Sequence, residues 1–261
     1  MSETANRFTT EALVIREMKV GESDRLVTLF TRDYGIIRAF ASGAVSVKSR
    51  RCTATSLLSY SSFTLVKKKD TYKIREAVPI RIFFGSGCDI EQLALAQYFC
   101  ELAAIFSSDG GEGTEFFRLI LNSLHFLSGG ERTLALIKAI TELRTAAVSG
   151  FMPDLVACDG CGKFEDDIMY FDFLNGKIYC GECKPENQQI QPVSKTVLSA
   201  MRHIVYSRFE KLYSFSIPDE QAELLSNITG RYITVQSDRK FKALDFYESI
   251  KETSYEKSRK K

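Results

Sequence analysis

Between residues 8 and 78 the apolar positions come in short runs broken by polar ones, and the spacing is that of strands. EALVIREM, DRLVTLFTR, GIIRAFASG, SLLSYSSFTLV and TYKIREAV are rich in Val, Ile, Leu, Phe, Tyr and Thr and partly alternate. Turn signals separate them at Val20-Gly21-Glu22-Ser23-Asp24, Asp33-Tyr34-Gly35 and Lys69-Asp70-Thr71. Five short strands in so few residues predict a small closed barrel, because a short sheet needs its edges paired or covered.

After Pro79 the period changes to that of helices. Asp89 with Gln92 resembles a capped start, followed by Leu95, Phe99, Leu102 and Phe106. Phe117, Ile120, Leu121, Leu124 and Leu127 predict a second helix that stops at Gly129-Gly130. Leu136, Ile140, Leu143 and Ala147 predict a third, which ends near Gly150 before Pro153. Beyond a cysteine-rich segment, Ser194 caps a helix with Val197, Leu198, Met201, Ile204 and Val205 inward. Leu224, Leu225, Ile228 and Tyr232 predict another, and residues 242–250 a last turn or two. The fold class is therefore α+β: a barrel over residues 1–80, then a helical domain over 81–251 carrying an inserted cysteine segment at 155–187. Residues 252–261 read as a charged, disordered tail.

The cysteine segment holds four of the chain's seven cysteines as two C-x-x-C pairs, Cys158/Cys161 and Cys180/Cys183. Each pair can bring both sulfurs to one point, and two pairs make the tetrahedral thiolate shell of a structural zinc. Gly162 and Gly181 supply the positive φ that knuckle turns use. Asn175-Gly176 marks a hairpin that returns the second pair to the first. A redox dithiol and an unligated cluster are the competing readings. A closed set of four sulfurs favours one structural Zn2+, since a catalytic zinc keeps an open position. Cys52, Cys88 and Cys100 read as small buried or half-buried thiols.

Composition adds an asymmetry. Residues 1–80 carry 14 Lys and Arg against 8 Asp and Glu, a net of +6, whereas the remainder is net −4. A basic barrel beside a mildly acidic remainder suits a polyanion partner. The candidate phosphate contacts are Arg25, Arg32, Arg38, Lys48, Arg50, Arg51, Lys67, Lys68 and Lys69. A solvated face, or an edge strand blunted by lysine, accounts for the same residues without a polyanion. Phe40, Tyr60, Phe63 and Tyr72 are the aromatics available to stack on bases. The chain has no run of apolar residues long enough to span a membrane and opens without a signal-like segment, which predicts a cytoplasmic protein. No phosphate-binding glycine loop, nucleophile elbow or deaminase motif is present, so a binding protein is expected and not an enzyme.

At this point the string VIREMKVGESDRLVTLFTRDYGIIRAFASGAVSVKSR resembles the start of the bacterial recombination mediator family RecO, and TELRTAAVSGFMPDLVACDGCG resembles the approach to that family's first zinc knuckle. The resemblance implies an oligonucleotide-binding (OB) barrel and the zinc-bearing form of the family. It also implies a non-enzymatic, nucleoid-associated DNA repair protein that binds single- and double-stranded DNA and anneals complementary strands. The implied partners are RecR, in some settings RecF, and the acidic-hydrophobic C-terminal tail of single-strand-binding protein, held on the helical domain. The cations available there are Arg118, Arg132, Lys138 and Arg144. The alternatives are an RNA-binding or transcription-associated zinc-ribbon protein, and a zinc enzyme acting on nucleic acid.

Overall fold

The computed structural model describes residues 6–45, 50–68, 71–85, 88–107, 114–186 and 189–259. The five expected strands form as β1 (Asn6–Val20), β2 (Asp24–Thr31), β3 (Gly35–Ala41), β4 (Ser59–Lys68) and β5 (Thr71–Ile82), with a five-residue helix α1 (Arg50–Ala54) before β4. They pair in the ring β1-β2-β3-β5-β4, and β4 returns to β1. This is the OB arrangement. Four seams are antiparallel. The fifth, β3 against β5, is parallel and holds two residue pairs, Ala39↔Tyr72 and Phe40↔Lys73. The alternation seen in the sequence becomes a dry interior of Ala12, Val14, Val27, Leu29, Ile37, Ala39, Phe63, Leu65 and Ile74. Gly21 and Gly35 hold the two hairpin turns with φ of 61° and 64°.

The helices predicted after Pro79 form as α2 (Ile90–Phe106), α3 (Thr114–Gly129) and α4 (Leu134–Val148). Asp89 caps α2 by accepting from Glu91 N, and Thr133 caps α4 by accepting from Leu136 N. The chain divides into two compact units, residues 1–128 with 242–261 and residues 129–241. The helices expected as one domain are thus shared between them. The physical reason is aromatic packing: Phe30 of β2 lies 5.5 Å from Phe116 and 5.2 Å from Phe117 of α3, and Tyr60 of β4 lies 6.1 Å from Phe117. The last helix, α7 (Lys242–Arg259), also joins the first unit, where Glu101 of α2 accepts from the N–H groups of Lys242 and Ala243. Residues 252–259, expected as a disordered tail, continue α7. No Gly or Pro interrupts them, and most are tolerable helix formers.

The second unit holds α4, a four-stranded sheet in the order β6-β8-β7-β9, and helices α5 (Lys195–Tyr206) and α6 (Asp219–Ser237). Its strands are β6 (Asp154–Cys158), β7 (Met169–Asp172), β8 (Lys177–Tyr179) and β9 (Ile190–Val193). Helix α4 is buried on nearly all sides. Its Lys138 and Glu142 form an ion pair at 3.1 Å, and Lys138 also donates to Ser226 O at 3.0 Å while Thr229 donates to Glu142 at 2.6 Å. Gly230 of α6 leaves room for this pair, since a Cβ there would stand 2.8 Å from Lys138 Nζ and 3.3 Å from Glu142 Oε1 and the pair would have to shift. Among the described residues no helix is long and apolar enough to cross a membrane.

Candidate metal centre and nucleic-acid interface

The two C-x-x-C pairs converge. The Sγ atoms of Cys158, Cys161, Cys180 and Cys183 all lie within 4.8 Å of one another. The first knuckle ends β6 and the second follows β8, and these strands pair, which brings the knuckles together. The Cys180 N–H points into the cluster and donates to Cys158 Sγ at 3.3 Å, while Gly162 N closes the first turn on Cys158 O at 2.8 Å. Burial pushes the Cys158 thiol up, but N–H groups of Cys180, Cys161 and Gly160 outweigh it and bring it down to about 6. Hydrogen bonds with Cys180 and Cys161 push Cys183 up to about 12. Four sulfurs this close cannot all ionise without a cation among them, and a divalent metal that takes four thiolates fits this donor set.

Of the two glycines expected at positive φ, one is found there. Gly162 has φ +74°, as a knuckle turn needs, but Gly181 is not in the left-handed region and has open space around its α-carbon. Gly160 is the tight position instead, since a Cβ there would meet Cys183 Cβ at 2.8 Å. The Asn175-Gly176 turn is organised by Asp172, a fully buried carboxylate that accepts from Leu174 N, Asn175 N and Asn175 Nδ2 at 2.9, 3.2 and 2.8 Å. Arg202 of α5 clamps the knuckle from outside. It donates to the carbonyls of Leu155, Val156 and Phe164 at 2.7, 3.0 and 2.7 Å, and its guanidinium lies 4.1 Å from the centre of the Phe164 ring.

The second candidate surface is the outer face of the barrel. Strand register makes two rows across it: Arg16, Thr28 and Arg38, then Met18, Leu26 and Phe40, with Lys73 opposite Phe40. A groove of about 180 Å³ is lined by Arg16, Met18, Leu26, Thr28 and Arg38. A second, of about 520 Å³, is lined by Leu26, Arg38, Phe40, Thr71, Tyr72 and Lys73. Neither lining contains a carboxylate. Such a face can take a polyanion, with phosphates on the cations and apolar or aromatic groups beneath.

Of the cations named from the sequence, Arg38, Lys67 and Lys68 are exposed, and Arg38 is in both grooves. Arg32 is exposed and pairs with Glu11 at 3.5 Å. Arg25 is turned to structural use: it pairs with Glu17 at 3.1 Å and donates to Cys52 O and Ser56 Oγ at 3.1 and 3.2 Å, pinning α1 and the segment after it. Arg51 donates to Ser42 O at 3.0 Å and Arg75 O at 2.7 Å. Lys48, Lys69 and the side chain of Arg50 lie outside the described residues. Arg16 and Lys73 are the groove cations that the selection missed. Both stood in the basic N-terminal set, and their place in a strand's alternation was the signal. Of the aromatics, Phe63 is core and Tyr60 faces α3, which leaves Phe40 and Tyr72 on the groove.

The cations named for a partner peptide are mostly spent inside the fold. Lys138 is 1% exposed and paired with Glu142, and Arg144 is buried and donates to the carbonyls of Ile204, Val205 and Ser207 at the end of α5. Arg132 donates to the carbonyls of Tyr213 and Phe215. Arg118 alone of the four is exposed. Helical periodicity marks these positions as polar, but a helix enclosed on every side buries its polar residues too.

Comparison with known proteins completes the description. A family model for "Recombination protein O N terminal" matches residues 1–83, and one for "Recombination protein O C terminal" matches residues 88–245. The DNA repair protein RecO of Acetivibrio thermocellus is 30% identical over 245 residues, covering 94% of this chain and 98% of that protein. The DNA repair protein RecO of Dehalococcoides mccartyi is 30% identical over 246 residues, 94% of this chain and 96% of its own length. That of Alkaliphilus metalliredigens is 27% identical over 242 residues.

Proposed function

The chain belongs to the RecO family of DNA repair proteins, and on that premise we propose that it is a recombination mediator that binds single- and double-stranded DNA, anneals complementary strands and helps load a recombinase onto strands coated by single-strand-binding protein. The observation that carries the DNA-binding part is the barrel face, where Arg16, Arg38 and Lys73 surround an apolar and aromatic floor with no carboxylate in the lining. Binding there neutralises phosphates without reading sequence, which suits a protein that must act on any strand.

The protein does no chemistry on DNA. Cys158, Cys161, Cys180 and Cys183 hold one zinc whose bond energy is folding energy, and four thiolates leave no position for a reacting water. Arg202 orients the knuckle on α5 and needs no part in recognition. RecR, RecF and the acidic-hydrophobic tail of single-strand-binding protein are the partners, and the working place is the cytoplasm, at the nucleoid. The tail binds the helical region through apolar side chains and a cation. Lys138 and Arg144 are buried and Arg132 is half-buried, and Arg118 is the exposed member of the four. A groove of about 470 Å³ along α5 has mixed walls, apolar at Ala200, Phe215 and Ile217 and polar at Thr196, Ser199 and His203, with Glu165 and with a cation, Lys195, that pairs with Asp167 at 3.3 Å.

The test is a titration of labelled oligonucleotides at several salt concentrations, comparing single-stranded DNA, duplex DNA and RNA, with an annealing assay on complementary strands. Binding of DNA that weakens with salt, and faster annealing, support the proposal. Equal or tighter binding of RNA with no annealing would move the protein to an RNA-binding role.

A further inference from the structure

The two grooves on the barrel share Leu26 and Arg38 but differ in volume. The larger sits at the β3–β5 seam. That seam holds two residue pairs, where every other seam of the ring holds at least seven. Two strands joined so briefly diverge on leaving the contact, and the gap beside Phe40 and Lys73 is the result. Its walls are fixed from behind. The Tyr72 ring meets Phe8 edge-on at 6.1 Å, Lys67 Nζ stands 5.5 Å from its centre, and Phe8 lies 4.6 Å from Tyr34.

We infer that this slot receives the face of an unpaired nucleobase, stacked on Phe40 with Tyr72 in the wall, and with the flanking phosphates on Arg38 and Lys73; the inference rests on the DNA-binding reading above and names the strand state that the face prefers. An aromatic wall gains from a base only if the base's π-face is open, and in a duplex those faces are covered by neighbouring base pairs. Duplex DNA therefore reaches the rim cations and leaves the slot unused. The lining holds two cations and no carboxylate, a complement to phosphodiester and not to a neutral apolar ligand. Tyr72 has a second reason to be aromatic, since it packs on the barrel interior. Phe40 stands outside that cluster and is half-buried on the groove, so Phe40 is the residue on which the inference turns.

The chain contains no tryptophan, so Phe40→Trp places a single indole in the slot of the full-length protein. Its emission should be quenched by an oligothymidylate and not by a duplex of equal length at equal occupancy, with occupancy followed by anisotropy of labelled DNA. Phe40→Leu should weaken single-strand binding about tenfold, a modest part of the stacking contribution of one base, and leave duplex binding within about twofold. A strand of abasic sites, which keeps every phosphate, should bind wild type and Phe40→Leu alike. If the indole responds equally to both DNA forms, or Phe40→Leu lowers both affinities together or neither, the slot is not a base site although the face still binds DNA. An acidic peptide with an apolar end that quenches the indole where oligothymidylate does not would make the slot a peptide site. If wild type binds no DNA at all, the DNA-binding reading itself fails. Should Phe40→Leu lower the unfolding midpoint, the indole and abasic measurements decide alone.

Discussion

The cysteine knuckle and the barrel face are both candidate sites, and they are built in opposite ways. The knuckle gathers four identical donors within 4.8 Å, with backbone N–H groups and a clamp from Arg202 around them. Its identity lies in residue type and spacing. The barrel face spreads Arg16, Arg38, Phe40 and Lys73 over three strands, and no two of them are neighbours in sequence. Its identity lies in register, where shifting one strand by one residue would send each side chain to the interior. A site made of residue types fails all at once when one member is removed. A site made of register loses affinity by degrees.

That contrast can be broken or sharpened by measurement. The largest effect is expected at the knuckle: Cys158→Ala or Cys180→Ala should cost more than about 4 kcal/mol, as loss of a metal does, with zinc absent by elemental analysis. A chelator should lower the unfolding midpoint of wild type and leave these variants unmoved. Next, Lys138→Met should cost about 3–5 kcal/mol by removing the cation beside the buried Glu142 carboxylate, while Lys138→Met with Glu142→Leu recovers most of it. Denaturant unfolding of the single and double variants checks this. On the barrel, Arg16→Glu with Arg38→Glu should weaken DNA binding roughly tenfold or more, and reduce the slope of log affinity against log salt by about 2, without moving stability beyond about 0.5 kcal/mol. The smallest effect separates two knuckle glycines. Gly162→Ala, at φ +74°, should cost about 1 kcal/mol and Gly181→Ala under about 0.5. Equal costs would mean that both turns carry the same strain.

Much of this was legible in the chain because it rests on local rules. Alternating apolar residues between turn signals marked all five barrel strands, and Asp89 and Ser194 sit where caps belong. The convergence of four cysteines was legible because two C-x-x-C pairs have few other uses. What could not be read was decided by partners distant in sequence. Arg25 and Arg51 have the composition of phosphate contacts, but carbonyls of Cys52, Ser42 and Arg75 claim them. Lys138 and Arg144 fall on what looks like a polar stripe, and only the enclosure of α4 reveals that the stripe is interior. The division of helices between two units followed from Phe30, Tyr60 and Phe117, whose mutual approach no periodicity announces.

The route by which the barrel closes has a kinetic consequence. Strand β1 is 15 residues long and is used twice, in its second half by β2 and in its first half by β4. The β1–β2 ladder is a hairpin that can form as soon as it is synthesised. The closing ladder sets Phe8 opposite Leu65, 57 residues further on. Long loops close late and slowly. During translation the first half of β1 must therefore wait, with Phe8 and its open N–H and C=O groups uncovered, until β4 has left the ribosome. Pulse-labelling hydrogen exchange on refolding protein should find amides of residues 16–20 protected before those of residues 7–11.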